Sequence, residues 1–256
     1  MTSLNTVSTL FGGKAPHGLK ELYGVSFSDG NTSAPASGNS ISLLAFNGKK
    51  PLRFTEQRAK LTASDPGHSD GFGSSADIDG DTVVIGAIGD DDHGTNSGSA
   101  YIFTRDRAGD NTSSWTQRVK LTASDADAQD YFGGIESLDG VAIEGDTVAI
   151  SAVGGDNVSS RVKEGGAVYV FTRDTPGSLT SGWTQRAKLV PSDGPAHRDS
   201  FGTSISIYGD MMMIGSAGPS WPDRRGAVYV FRRITPGSLT SDWTEVVKLI
   251  PNAPTD

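Results

Sequence analysis

The sequence predicts an all-β protein of about four four-stranded antiparallel sheets, arranged as a β-propeller or as part of one. Three observations support this class. The 33 glycines and 12 prolines among 256 residues indicate many turns, and an apolar fraction of 35% argues against long amphipathic helices. Three sequence landmarks also recur in the same order along the chain. We call each four-stranded repeat a blade.

The landmarks define the repeat. They are a Phe-Gly pair, a Gly-(Ser/Ala)-x-Tyr segment and a Trp-Thr-x-x-x-Lys-Leu segment. The landmark residues are Phe72, Phe132 and Phe201, then Tyr101, Tyr169 and Tyr229, then Trp115, Trp183 and Trp243. The lysines Lys120, Lys188 and Lys248 stand 68 and 60 residues apart. Because three ordered landmarks keep one register, we predict one structural unit per repeat.

Each repeat contains four predicted strands. The first follows Phe-Gly, and a turn such as Asp79-Gly80-Asp81 leads into the second. The second and third strands are apolar at successive positions, which requires burial on both faces and so a sheet between two like sheets. Period-2 alternation in the fourth strand predicts Trp115, Val119 and Leu121 on one face.

The predicted blades span about residues 70–122, 130–190 and 199–250. The second of these has five extra residues near 136–140, which we expect at the tip of a hairpin. Residues 10–62 contain weaker echoes of the landmarks, beginning at Phe11-Gly-Gly13, and predict a degenerate first blade. The whole chain is therefore expected to form a single domain.

The repeat Phe-Gly … Gly86-Ala87 … Gly98-Ser-Ala-Tyr resembles the FG-GAP repeat of the integrin α-chain propeller and its microbial and algal relatives. The resemblance implies a recognition or adhesion module outside the cell or at its surface. Relatives usually close with about seven blades. Four blades therefore imply a fragment, a small closed propeller, or an arc that assembles with another copy.

Two acidic segments are candidate calcium sites. The stronger is Asp90-Asp91-Asp92 in the loop between the second and third strands, since adjacent carboxylates repel one another unless solvated or bridged by a cation. The weaker is Asp77-x-Asp79-x-Asp81, whose three acids have the spacing of the first three acids in the integrin-type calcium loop, but Val84 stands where the closing acid is expected. The alternatives are a solvated polar turn and a plain hairpin.

Ligand binding is expected on the face formed by the loops, where a protein or a glycan would contact Trp221, Arg224 and Arg225. These residues lie outside the repeat pattern, unlike the landmark aromatics, which we expect to pack inside. Acids flanking each Phe-Gly recur in every repeat and are therefore expected to close turns: Asp65 and Asp70, Asp125 and Asp130, Asp193 and Asp199.

Composition disfavours several functions. A net charge of −8 without a basic stripe disfavours nucleic acid and anionic membranes as partners. Zero cysteines exclude disulfides and thiolate chemistry. No apolar run is long enough for a membrane span, and no signal peptide is visible, so an exported chain would be mature, truncated or exported by another route.

Catalysis is not expected, because the four histidines form no metal pair and no nucleophile elbow is present. Two alternatives to the recognition module stay open. One is a structural repeat segment of a larger protein, without its own ligand, which would self-associate if the propeller is open. The other is a carbohydrate-active enzyme, which would need a carboxylate pair in a central pocket.

Overall fold

The computed structural model describes residues 23–28, 40–45, 57–134, 140–154, 165–193, 200–217 and 226–251. Every regular element in these ranges is a β-strand, as the sequence predicts. No helix in the same ranges is long and apolar enough to cross a membrane.

Three antiparallel sheets contain four strands each, in chain order. They are β4 (Phe72–Asp79), β5 (Thr82–Ala87), β6 (Ser99–Arg105) and β7 (Trp115–Leu121); β8 (Val141–Glu144), β9 (Thr147–Ala152), β10 (Ala167–Arg173) and β11 (Trp183–Leu189); and β12 (Phe201–Tyr208), β13 (Met211–Ser216), β14 (Ala227–Arg233) and β15 (Trp243–Leu249). We number these sheets two, three and four. They form a partial β-propeller of FG-GAP-like blades.

Sheet one has three described strands, β1 (Tyr23–Ser28), β2 (Ser40–Ala45) and β3 (Gln57–Leu61). The pairing of β2 with β3 shifts register between Leu43 and Leu44. The third and fourth strands of sheet two shift register in the same way between Ile102 and Phe103, and those of sheets three and four do so at the equivalent residues. Phe11 lies outside the described residues. The degenerate blade over residues 10–62, like the other blade limits, therefore stays a prediction.

The central strands of sheets two and three are buried on both faces, as predicted from their unbroken apolar runs. All residues of β5, β6, β9 and β10 are buried. The first strands lie side by side, with β8 against β4 and β12 against β8. Apolar clusters fill the space between successive sheets, so each interior sheet shares its side chains with two cores.

The bulge in the last two strands changes one prediction. Ile102 pairs with Val119, but Phe103 pairs with Gln117, so one extra residue interrupts β7. The extra residue reverses the alternation of faces. Leu121 therefore packs toward sheet three, whereas Trp115 packs beside Phe103 toward sheet one. The prediction that Trp115 and Leu121 share a face is wrong for this reason.

The phenylalanine of the Phe-Gly landmark packs against aromatic side chains of its own sheet. In each of the three four-stranded sheets this phenylalanine lies edge-on to the tyrosine and the phenylalanine of the third strand. Phe132, for example, has its ring centroid 5.6 Å from that of Tyr169 and 6.1 Å from that of Phe171. Phe72 and Phe201 repeat this arrangement. The landmark aromatics pack inside, as predicted.

The insertion in sheet three lies before β8 and not in the hairpin between β8 and β9. Phe132 pairs with Ala152 and Val141 pairs with Ile150, so the extra residues fall between these two pairs; residues 135–139 among them lie outside the described residues. The hairpin turn itself, at Gly145-Asp146, has the same length as in the other sheets. The prediction of an insertion at the hairpin tip is therefore wrong.

Candidate functional site

The loop between β5 and β6 is organised by the buried carboxylate of Asp90. Its Oδ2 accepts hydrogen bonds from Ser99 Oγ at 3.0 Å and Tyr101 Oη at 3.3 Å. Its main-chain oxygen accepts from Ser97 Oγ at 3.0 Å and Gly98 N at 2.9 Å. Asp90 thus connects both ends of the loop to the sheet.

The ammonium of Lys120 lies among three carboxylates. Lys120 Nζ is 2.9 Å from Asp65 Oδ2, 2.7 Å from Asp90 Oδ2 and 2.6 Å from Asp92 Oδ2. It also lies 5.6 Å from the centroid of the Tyr101 ring. Burial alone would lower the pKa of Lys120, but the hydrogen bonds to the carboxylates outweigh burial and raise it. Lys120 is therefore a fixed positive charge at this site.

The three adjacent acids of this loop face different partners. Asp90 and Asp92 contact Lys120, whereas Asp91 Oδ1 accepts a hydrogen bond from Asn96 N at 2.7 Å. Within the described residues, no group of three or more His, Asp or Glu is arranged to hold a metal ion. The carboxylates of Asp65, Asp90 and Asp92 surround the ammonium of Lys120, which supplies the positive charge between them. Calcium at Asp90, Asp91 and Asp92 stays a prediction.

The trio of aspartate, tyrosine and lysine recurs in all three four-stranded sheets. Asp125 accepts from Tyr169 Oη at 2.9 Å and from Lys188 Nζ at 2.8 Å. Asp193 accepts from Tyr229 Oη at 3.2 Å and from Lys248 Nζ at 2.6 Å. Recurrence makes the trio part of the blade architecture. Among the residues that the structure describes, sheet two adds a second and a third carboxylate, those of Asp90 and Asp92.

The acids that flank Phe-Gly therefore divide into two roles. Asp70 and Asp130 close turns, because they accept hydrogen bonds from the backbone nitrogens of Gly67 and Asp127, as predicted. Asp199 lies outside the described residues, so its role stays a prediction. Asp65, Asp125 and Asp193 instead bind lysine and tyrosine. The sequence contained a signal for this pairing, because each lysine follows its aspartate by 55 or 63 residues, in step with the repeat.

The acids of the integrin-type slot contact protein groups of this chain. Asp77 Oδ2 accepts from Ile143 N at 2.8 Å, and Asp79 Oδ2 accepts from Gly145 N at 2.6 Å. Asp81 Oδ1 lies 3.0 Å from Arg105 Nε. Asp77 and Asp79 thus attach sheet two to the hairpin of sheet three.

The β5–β6 loop also contacts the segment that enters sheet three. Gln129 N donates to Thr95 O at 2.8 Å, Tyr131 N to Asn96 O at 3.0 Å, and Phe132 N to Ser97 O at 3.0 Å. Three further loop residues are exposed: Asp91, Asp92 and His93. The loop is an ordered, acidic surface anchored in two sheets.

The second predicted ligand-binding group lies elsewhere in the chain. Trp221, Arg224 and Arg225 fall outside the described residues. Their placement relative to the Asp90 loop stays a prediction.

The FG-GAP repeat family matches the chain three times, at residues 55–103, 115–171 and 183–231. The matches together cover more than half of the 256 residues. The repeats indicate an integrin-α-like repeat domain, and the family is typically non-enzymatic. No curated protein matches the sequence at a significant level. The chain belongs to the FG-GAP repeat family.

Proposed function

We propose that this chain is a non-enzymatic recognition module that binds a protein or glycan ligand through its loop face, outside the cell or at its surface. The observation that supports the proposal is the β5–β6 loop. Its buried Asp90 and its backbone bonds to sheet three hold the loop in place, while Asp91, Asp92 and His93 are exposed. A rigid scaffold with exposed polar groups on one loop suits specific binding.

The electrostatics of the loop indicate the chemistry of the ligand. Asp91 and Asp92 are exposed and acidic, and Asp125 and Asp127 are exposed in the segment that the loop contacts. The ligand should therefore present a cationic or hydrogen-bond-donating group.

The test is a screen of glycans and extracellular matrix proteins with the purified chain. Any ligand found should lose affinity for a variant with both Asp91→Asn and Asp92→Asn. Asp106→Asn is the matched control, because Asp106 is exposed in the turn at the opposite end of β6. Equal loss in the control, or no loss in the double variant, would refute the assignment of the ligand to this loop. Surface labelling of intact source cells tests the location.

Calcium is a separate part of the proposal. A ligand that binds only the folded state raises stability, so a thermal melt in millimolar calcium against EDTA reports a folded site without knowledge of the partner. A higher Tm in calcium that is lost after replacement of Asp90–Asp92 by Asn would support calcium tuning. An unchanged Tm would limit the proposal to a metal-free recognition module.

The second candidate function is a structural repeat segment without its own ligand. It is favoured by the apolar face of sheet four, where Met213, Val228 and Leu249 are exposed. It predicts that the screen yields no ligand while the chain still associates through this face.

A further inference from the structure

One face of sheet four is apolar and exposed to solvent. In sheets two and three, one face of the third and fourth strands packs on the next sheet. Val168 and Leu189 of sheet three are 0% and 4% exposed. The residues at the same register positions of sheet four, Val228 and Leu249, are 37% and 51% exposed. Sheet four therefore keeps the apolar residues of a sheet-to-sheet contact, and no sheet within the described ranges covers them.

The second strand continues this apolar face. Met213 pairs with Val230 and is 49% exposed, whereas Ala149, which pairs with Val170 in sheet three, is fully buried. Val247 of the fourth strand is 41% exposed. We call the surface of Met213, Val228, Val247 and Leu249 the open face.

The open face lacks the groups that seat a following blade. Asp79, at the end of β4, accepts a hydrogen bond from Gly145 N in the hairpin of sheet three. Glu144, at the end of β8, accepts one from Gly209 N in the hairpin of sheet four. Tyr208 holds this position in β12 and is 82% exposed. Arg232 likewise replaces the buried Thr104 and Thr172. A further blade of the same kind packed on sheet four would lack these hydrogen bonds and would contact the charged side chain of Arg232.

Sheet one is a poor complement for the open face. The face that sheets two to four turn toward the preceding sheet is rich in large apolar residues, including Ile85 paired with Tyr101. In sheet one, register places Ser26 opposite Ser42 at this position. Ring closure and head-to-tail addition of a second copy would both place these serine positions against the open face.

A two-fold arrangement depends on neither the anchoring hydrogen bonds of a following blade nor the serine positions of sheet one. An isologous contact brings the same patch of each copy together, and an apolar patch is complementary to itself. We propose that the open face is a homodimer interface, in which two copies of this chain pack their fourth sheets against each other about a two-fold axis.

The size of the open face sets the expected affinity. Four strands of seven residues cover about 20 Å by about 23 Å, which is less than the about 800 Å² per partner of a standard interface. The dimer should therefore dissociate on dilution through the micromolar range, on the order of 1–100 μM.

Sedimentation velocity of the full chain over this range tests the proposal. We expect the wild type to shift from monomer to dimer as concentration rises. Val228→Asp or Leu249→Asp should weaken association on the order of a hundredfold, because each places a carboxylate in an apolar contact. Ile234→Asp is the matched control, because Ile234 is 59% exposed but lies in the turn after β14, off the open face. It should dimerise as the wild type does.

A cross-link distinguishes the two-fold arrangement from other assemblies. The chain has no cysteine, so Met213→Cys introduces a single thiol on the open face. A short bismaleimide should join two Met213→Cys chains and should not join two Ile234→Cys chains. A monomer at every concentration, an open-ended series of oligomers, or a dimer without the Met213→Cys cross-link would each overturn the proposal. Thermal melts of all variants confirm that they fold.

Discussion

Arg173 of β10 donates a hydrogen bond from Nη2 to Thr82 Oγ1 of β5, 2.9 Å away in the preceding sheet. The same guanidinium donates from Nε to Asp146 at 2.6 Å and from Nη1 to the main-chain oxygen of Ser178 at 2.7 Å. It also lies 4.5 Å from the centroid of the Trp183 ring. Arg233 makes the corresponding bond to Thr147. One arginine therefore joins adjacent sheets at each of these two interfaces.

Arg173→Ala should destabilise the fold strongly. The side chain is 3% exposed, and its removal leaves Asp146 without its ion pair and Thr82 without its inter-sheet donor. Breaking a buried ion pair costs about 3–5 kcal/mol. Urea denaturation measures the change in the free energy of unfolding. Arg186→Ala is the control, since its more exposed ion pair with Asp174 should be worth less than about 1 kcal/mol. Equal effects of the two variants would contradict the structural role of Arg173.

Acid should unfold the protein through the aspartate trios. Burial alone would raise the pKa of Asp125, but the hydrogen bonds from Lys188 and Tyr169 outweigh burial and hold the pKa below its usual range. Asp65 and Asp193 behave alike. A pKa lower in the folded state means that stability is present above the unfolded pKa and is lost as pH falls through the folded pKa. The Tm should therefore decrease below about pH 4.

Removing the lysine partner tests the cause of this acid dependence. Lys188→Met keeps most of the apolar stem but deletes the ammonium that stabilises the Asp125 carboxylate. The slope of Tm against pH in acid should therefore become shallower. An unchanged slope would exclude this ion pair as a source of the acid sensitivity.

As the pH is raised, three of the six tyrosines, Tyr101, Tyr169 and Tyr229, should ionise only when the protein unfolds. Burial raises the pKa of Tyr101, Tyr169 and Tyr229, and the neighbouring carboxylates raise it further. Because each phenol is more acidic in the unfolded chain, its stabilising contribution is complete below the unfolded pKa and is lost as pH rises toward the folded one. Tyrosinate absorbance should thus show a late step that coincides with loss of circular dichroism. Tyr169→Phe should reduce that step by about one third.

The repeats made the strands predictable, because each landmark combines a local turn signal with apolar runs. The partners of Asp125 were harder to predict. Its bond to Lys188 spans 63 residues and leaves no local signal, although both residues keep the period of the repeat. The extra residue of β7, opposite Ile102 and Phe103, was not predictable from alternation. The partner strand β6 is apolar at successive positions, so its sequence does not indicate which residues of β7 face the same side.

The open end of the arc shows a further limit of the sequence. Val228 and Val168 occupy the same place in the repeat, so sequence alone treats them as equally buried. Their exposures are 37% and 0%. The difference depends on whether another sheet covers them, which the landmark residues themselves do not encode.

The glycine of the second landmark, Gly98, should be more sensitive to substitution than a glycine in an open turn of the same sheet. Gly98 has a φ of 80°, and a Cβ at this position would collide with the backbone of Phe132 in the next repeat. Gly109 is the matched control, because its φ of 67° is similar but no atom lies within 4 Å of a Cβ built there. Gly109→Ala should cost about 1–2 kcal/mol, the cost of a left-handed backbone conformation for an L-residue. Gly98→Ala should cost more than this, because the approach of sheets two and three must also change. Chemical denaturation of both variants measures the difference, and equal losses would mean that backbone conformation alone explains this glycine.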